Sequence, residues 1–143
     1  MSKYIKFLLQ AIALLSITLG VFSAQAMAKT NIQYEVINDD TLVLSGNGEA
    51  EEAIKYGKEV KKSQIKKLII KEGITKITPL GIGTFESVRE VVLPDSLTEI
   101  GDATFAGYYK LKKVRFGKGL QTIAYLAFAS CISLEEIDIP FCS

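Results

Sequence analysis

The sequence predicts a β-rich solenoid, an α+β chain with little helix whose short parallel strands line one face. Three observations carry this. Apolar residues recur at a step of 23: Ile65, Val88, Leu111 and Leu134; Leu68, Val91, Val114 and Ile137; Ile70, Leu93, Phe116 and Ile139. Around these columns apolar and polar residues alternate, as they do in half-buried strands. Residues 29–64 do not follow the step, which is how the terminal unit of a stack behaves. A unit of 23 residues cannot bury its own apolar face, so neighbouring units must stack.

The first element is a leader. Lys3 and Lys6 precede an uncharged run of 16 residues, Phe7 to Phe22. Ala24-Gln25-Ala26 and Ala26-Met27-Ala28 then form overlapping small-x-small sites. This is the pattern of a secretory signal peptide, residues 1–28, with cleavage expected after Ala26 or Ala28. The run falls short of the ~20 apolar residues a membrane span needs. No cysteine follows it to take a lipid anchor, and no second long apolar segment would insert the mature chain in a membrane. The expected location is outside the cytoplasm: secreted, periplasmic or at the cell surface.

The leader carries two lysines and no acids, so the mature 115 residues keep 15 basic and 16 acidic side chains, net −1. That balance offers no basic stripe for nucleic acid. The chain has no histidine, which removes Ser-His-Asp and Cys-His catalysis and histidine metal ligands. Two cysteines, Cys131 and Cys142, are too few for a four-thiolate zinc site. The expectation is a protein that needs no cofactor and no metal and is not an enzyme. A hydrolase built on two carboxylates remains as a minor alternative.

Residues 29–64 read as an N-terminal cap. Ile32 to Val36 alternates as a strand does, Asn38-Asp39-Asp40 is a turn cluster, and Thr41 to Ser45 is a second strand ended by Gly46-Asn47-Gly48. Glu49 to Lys62 predicts a short helix with Ala50, Ala53 and Ile54 on one side, weakened by Gly57.

Residues 65–143 are three to four repeats, the last incomplete. Strands are expected at 67–71, 90–93, 113–116 and 136–139. Turns opened by Pro94, Gly117 and Pro140 follow, then a second apolar pair such as Leu97 and Ile100, then an aromatic plug, Phe105 and Phe128. Phe85 stands as the counterpart of Phe105 displaced by three residues, an insertion around Pro79-Leu80-Gly81 compensated before Val88.

Leu93-Pro94-Asp95-Ser96-Leu97-Thr98-Glu99-Ile100-Gly101-Asp102-Ala103-Thr104-Phe105 resembles the repeat of BspA-like leucine-rich repeat proteins. Leu120 to Cys131, with its Ala-Phe-x-x-Cys element, resembles the same unit. Asp40 to Gly48 and Ile65 to Ile74 resemble the segments that lead into such repeats. The resemblance covers nearly the whole mature chain. It implies a curved, right-handed leucine-rich repeat solenoid on an exported bacterial-type protein. It also implies a protein partner, such as a host matrix, plasma or cell-surface protein bound by adhesion. No catalytic residue comes with it.

Strand alternation places the candidate partner-binding face. With Leu68 and Ile70 inward, Lys67, Ile69 and Lys71 point outward, followed by Glu90 and Val92, Lys113 and Arg115, then Glu136 and Asp138. Parallel strands lie about 4.8 Å apart. The column Lys67, Glu90, Lys113, Glu136 therefore alternates in sign, and Arg115 is expected beside Asp138. This pattern serves both as a ladder of ion pairs and as a mixed-charge recognition surface. Tyr109, in the turn before the third strand, is an exposed anchor; Tyr108 falls in the slot that Cys131 fills 23 residues later.

A Cys131–Cys142 disulfide is not expected. The intervening chain, mostly extended at ~3.3 Å per residue, holds the thiols about 20–30 Å apart, against the ~7 Å limit between Cα atoms. Cys131 reads as a buried thiol and Cys142 as an exposed one. Gly46-Asn47-Gly48 and Gly81-Ile82-Gly83 lack the lysine and the strand-helix context of a phosphate loop. Glu135, Glu136 and Asp138 lack a calcium-loop spacing. Leu134, Ile137 and Ile139 form an uncovered last layer, so self-association through the C-terminal end is expected, or a truncated reading frame. The principal alternative to a binding module is thus a structural or truncated repeat fragment without a ligand of its own.

Overall fold

The computed structural model describes residues 31–51, 56–57 and 60–140. The leader and its cleavage sites lie outside the described residues, as does Cys142. The chain opens on an antiparallel hairpin, β1 (Gln33–Ile37) and β2 (Thr41–Ser45). Asn38 and Asp39 take positive φ, 51° and 60°, at its turn. Asn and Asp tolerate that left-handed conformation better than most residues do.

From β2 onward the chain coils for about four turns, and each complete turn lays one strand in each of two sheets. The strands are β3 (Gly48–Ala50), β4 (Lys67–Ile70), β5 (Ile74–Ile77), β6 (Glu90–Val92), β7 (Glu99–Ile100), β8 (Lys113–Arg115), β9 (Thr122–Ile123) and β10 (Glu136–Asp138). A single helical turn, α1 (Pro79–Ile82), follows β5; its N-cap Thr78 accepts from the Gly81 N–H. The six-stranded sheet runs β1-β2-β4-β6-β8-β10 and the four-stranded sheet β3-β5-β7-β9. Every pairing is parallel except β1 with β2.

The β-rich leucine-rich repeat solenoid read from the sequence is the fold observed. The register is the predicted one: Lys67 opposite Glu90, Glu90 opposite Lys113, Lys113 opposite Glu136. Each strand of this sheet closes one residue earlier than expected. The second sheet was not predicted, because β7 and β9 have two residues each, too few to show alternation. β2 also stacks on the solenoid, at a step of 26 rather than 23, with Thr41 opposite Lys67 and Leu42 opposite Leu68. A search at 23 cannot see that turn.

Two expectations need correction. The helix predicted from Glu49 does not begin there: Glu49 and Ala50 belong to β3, whose backbone pairs with β5. Ala53 and Ile54 lie outside the described residues. The proposed insertion and deletion around Phe85 is replaced by an unbroken step. Ile82, Phe105 and Phe128 share one column, and Phe85, Tyr108 and Cys131 share the next. The hydrogen bonds agree, since Val88, Leu111 and Leu134 each donate to the residue three before them, Phe85, Tyr108 and Cys131. The first turn simply carries its aromatic ring one slot later and fills the plug position with Ile82, which is fully buried.

The core lies between the sheets. Leu42, Leu68, Val91 and Val114 enter from one side, Ile74, Ile77 and Ile100 from the other, all at 0% exposure. Burying each such side chain stabilises the fold by about 1.5–3 kcal/mol. The turns are tied by carboxylates at the same step. Glu72 accepts from the backbone N–H groups of Asp95 (2.8 Å) and Ser96 (2.9 Å), and Asp95 accepts from Lys118 (2.8 Å). The far end is less covered: Leu134 is partly buried, while Ile137 and Ile139 are 53% and 61% exposed.

Candidate binding face

The outer face of the six-stranded sheet is set by alternation. In β4 the burial runs half-buried, buried, half-buried, buried, so Lys67 and Ile69 face out over Leu68 and Ile70. Parallel pairing then lines up two columns, Lys67-Glu90-Lys113-Glu136 and Ile69-Val92-Arg115-Asp138. β2 extends them with Thr41 and Val43. Those two residues went unassigned because the first step is 26.

The cations are paired, though not all as expected. Lys67 Nζ lies 3.0 Å from Glu90 Oε2, and the Lys113 ammonium bonds the Glu136 carboxylate. Arg115 turns to Glu90 (Nη2 to Oε1, 3.3 Å), not to Asp138 directly across from it. The Glu90 side chain is 24% exposed, whereas Asp138 is exposed on the last strand. Glu90 is flanked by strands on both sides, and the better shielded carboxylate attracts the guanidinium more strongly. Oε1 of Glu90 is closed off from solvent and meets Arg115 as an ion pair, not as an aligned hydrogen bond. The face is therefore close to charge-neutral, with Ile69 and Val92 as a half-buried apolar row beside the ion pairs.

Tyr109 is 53% exposed, on the turn into β8 and outside the sheet; its ring packs over Gly107. Tyr108 is buried in the predicted slot, its hydroxyl donating to the Gly83 carbonyl at 2.8 Å. Cys131 is a half-buried free thiol bonded to the Phe105 carbonyl at 3.2 Å, and burial raises its pKa. On the second sheet Lys76 lies between Glu51 (2.9 Å) and Glu99 (3.3 Å). Hydrogen bonds to those carboxylates, Glu51 first, hold its ammonium protonated above the ordinary lysine range. Sequence reading missed this clamp along with its sheet.

A cavity of about 680 Å³ lies beside the hairpin turn, open to solvent and lined by Asn38, Asp39, Asp40, Lys61, Ser63 and Lys66 among others. Among the described residues no group of three or more His, Cys, Asp or Glu side chains is placed to hold a metal ion. Among them, too, no helix is long and apolar enough to cross a membrane.

Residues 58–142 match the family model described as BspA type leucine-rich repeat region (6 copies). The fold is similar to the crystal structure, at 2.50 Å resolution, of a leucine-rich repeat protein from Eubacterium ventriosum ATCC 27560. The TM-score is 0.55 at 22% identity, over 67% of this chain and 26% of that one. The chain thus spans about a quarter of that protein's length. No curated protein matches the sequence.

Proposed function

This chain belongs to the BspA-type leucine-rich repeat family, and from that premise we propose that it is an exported, non-catalytic module that binds a protein partner, in adhesion or surface recognition, through the outer face of its six-stranded sheet. Leucine-rich repeats generally mediate protein–protein contacts. Export rests on the leader pattern of residues 1–28. The observation that carries the reading is the composition of the face. Its cations Lys67, Lys113 and Arg115 are held on Glu90 and Glu136 around Ile69 and Val92, so a partner meets a largely fixed surface. Arg115, half exposed, is the side chain best placed to reach across, with Asp138 and Tyr109 at the margins. A sheet of this size offers a small interface, and areas below ~1,200 Å² are typical of transient encounters.

Binding to a panel of matrix proteins, plasma proteins and whole cells tests the proposal, with V92S/R115A as the control. Both positions lie on the outer face, so the variant should keep its fold. Saturable binding that the variant loses supports recognition through the sheet. Binding that the variant retains moves the site elsewhere. A folded, monodisperse protein that binds nothing in the panel favours a structural role without a ligand.

A further inference from the structure

We propose that Lys66, Arg89 and Lys112 form a binding row for a linear acidic polysaccharide, one whose sulfate or carboxylate groups are separated by hydroxyl-bearing rings. The three residues stand one step of 23 apart, each immediately before a strand of the six-stranded sheet. Their backbones are bonded in series. The Arg89 N–H donates to the Lys66 carbonyl at 2.7 Å, and the Lys112 N–H to the Arg89 carbonyl at 2.8 Å. The column is thereby fixed, with its members about 4.8 Å apart. All three side chains are exposed. The near-neutral balance of the chain hides this row, which appears only once the turns are stacked.

The row breaks a rule that its neighbour keeps. One residue on, Lys67, Glu90, Lys113 and Glu136 alternate in sign. Here three cations stack without interruption, and like charges directly opposite destabilise a strand pair. The two lysines turn to the ends of the column. Lys66 Nζ lies 3.7 Å from Asp40, one turn earlier, and Lys112 Nζ lies 3.1 Å from Glu135, one turn later. Arg89 is left with a cation on each side and, among the described residues, no ion pair with a carboxylate. Sequences depart from local rules chiefly at functional sites. An anionic chain laid along the row relieves this stack.

The ligand class follows from what adjoins the row. At its Lys66 end lies the cavity of about 680 Å³ beside the hairpin turn, lined by Lys61 and Lys66, by Asn38 and Gln64, and by Asp39 and Asp40. An ammonium only donates, a carboxylate only accepts and an amide does both. Hydroxyl groups, which donate and accept, match that mixture of side chains. An oligonucleotide or a polyglutamate places a charge on every unit and would set some of it against Asp39 and Asp40. A polysaccharide with spaced acid groups lays its sulfates or carboxylates along the row and its hydroxyls in the cavity. The guanidinium of Arg89, a planar fork of donors, suits the paired oxygens of either acid group.

The probes are labelled chondroitin sulfate, which carries sulfates and carboxylates, and labelled hyaluronan, which carries carboxylates alone. Each is mixed with the purified protein and read by fluorescence anisotropy at several salt concentrations. Saturable binding of at least one is expected, and which one binds names the acid group. The R89Q variant keeps an exposed polar side chain and the backbone bonds of the column, so it should fold as the parent does. It should lower the affinity on the order of tenfold and reduce the slope of log affinity against log salt by about one. K118Q removes the same charge from an exposed position at the other end of β8 and should bind as the parent does. Absence of binding to both probes overturns the proposal, as does an equal loss in R89Q and K118Q. Neutral dextran, a single-stranded oligonucleotide or polyglutamate bound as tightly as the probes overturns the polysaccharide assignment. Val92 and Arg115, which test the sheet face, are intact in these variants, so either reading can fail without the other.

Discussion

Tyr108 and Cys131 occupy the same slot in successive turns, and each donates to a carbonyl of the turn before it: the phenol to Gly83 at 2.8 Å, the thiol to Phe105 at 3.2 Å. The phenol is buried and donates an O–H over the shorter distance; the thiol is a weaker donor at a half-buried site. Tyr108→Phe keeps the ring and strands the Gly83 carbonyl, at a cost of about 1–2 kcal/mol. Cys131→Ala should cost under ~1 kcal/mol. Urea denaturation at unchanged m-value separates the two.

Ser130 stands where the previous turn has Gly107, and both lie in left-handed backbone, φ 61° and 78°. That conformation costs a residue with a Cβ about 1–2 kcal/mol. Ser130→Gly removes the strain but loosens the unfolded chain, so the net expectation is a gain of about 0.5 kcal/mol. Gly107→Ala should lose about 1 kcal/mol, even though an added Cβ there meets only the Tyr109 ring at 3.8 Å, an ordinary contact. A destabilised Ser130→Gly would show that its side chain matters more than its backbone.

These slots also show how far the sequence could be read. The columns through Leu68 and Leu111 gave the register because strand positions in a stack must recur at a fixed step. The turn built on β2 was hidden by three extra residues, and the second sheet by strands too short for a period. Phe85 was misplaced because aromatic character was matched in preference to the step, which was in fact unbroken through Ile82. On the outer face the residues were legible and their partners were not. Alternation says which side chains point outward, but whether Arg115 turns to Glu90 or to Asp138 depends on how deeply each carboxylate is shielded.

That shielding makes Glu90 and Glu136 unequal. Glu90 neutralises Lys67 and Arg115 and lies opposite Lys113, so Glu90→Ala leaves three cations on adjacent strands. The expected loss is about 1–2 kcal/mol at low salt. It should shrink in ~1 M salt, where the Debye length is about 3 Å. Glu136→Ala, at the exposed edge, should cost at most about 0.5 kcal/mol. Denaturation of both variants at two ionic strengths checks the order, and equal losses would contradict the shielding argument.

Alkaline pH should unfold the protein through its buried phenols. Burial raises the pKa of Tyr108 and of Tyr56 above the ordinary 10.0, with Tyr56 adding to the shift at Tyr108 and Tyr34 to that at Tyr56. The folded state thus holds these protons more tightly than the unfolded chain does. The stability they contribute is complete below pH ~10, where both states are protonated, and is lost as pH rises toward the folded values. Each tyrosine should remove about 1.4 kcal/mol per pH unit once the unfolded phenol ionises. The melting temperature should therefore be insensitive to these groups up to about pH 9.5 and fall above it, with a shallower fall in Tyr108→Phe and in Tyr56→Phe. Absorbance at the phenolate band gives a second reading: the phenols of Tyr108 and Tyr56 should ionise only as the fold is lost. Ionisation of either phenol while the fold persists would contradict that shielding.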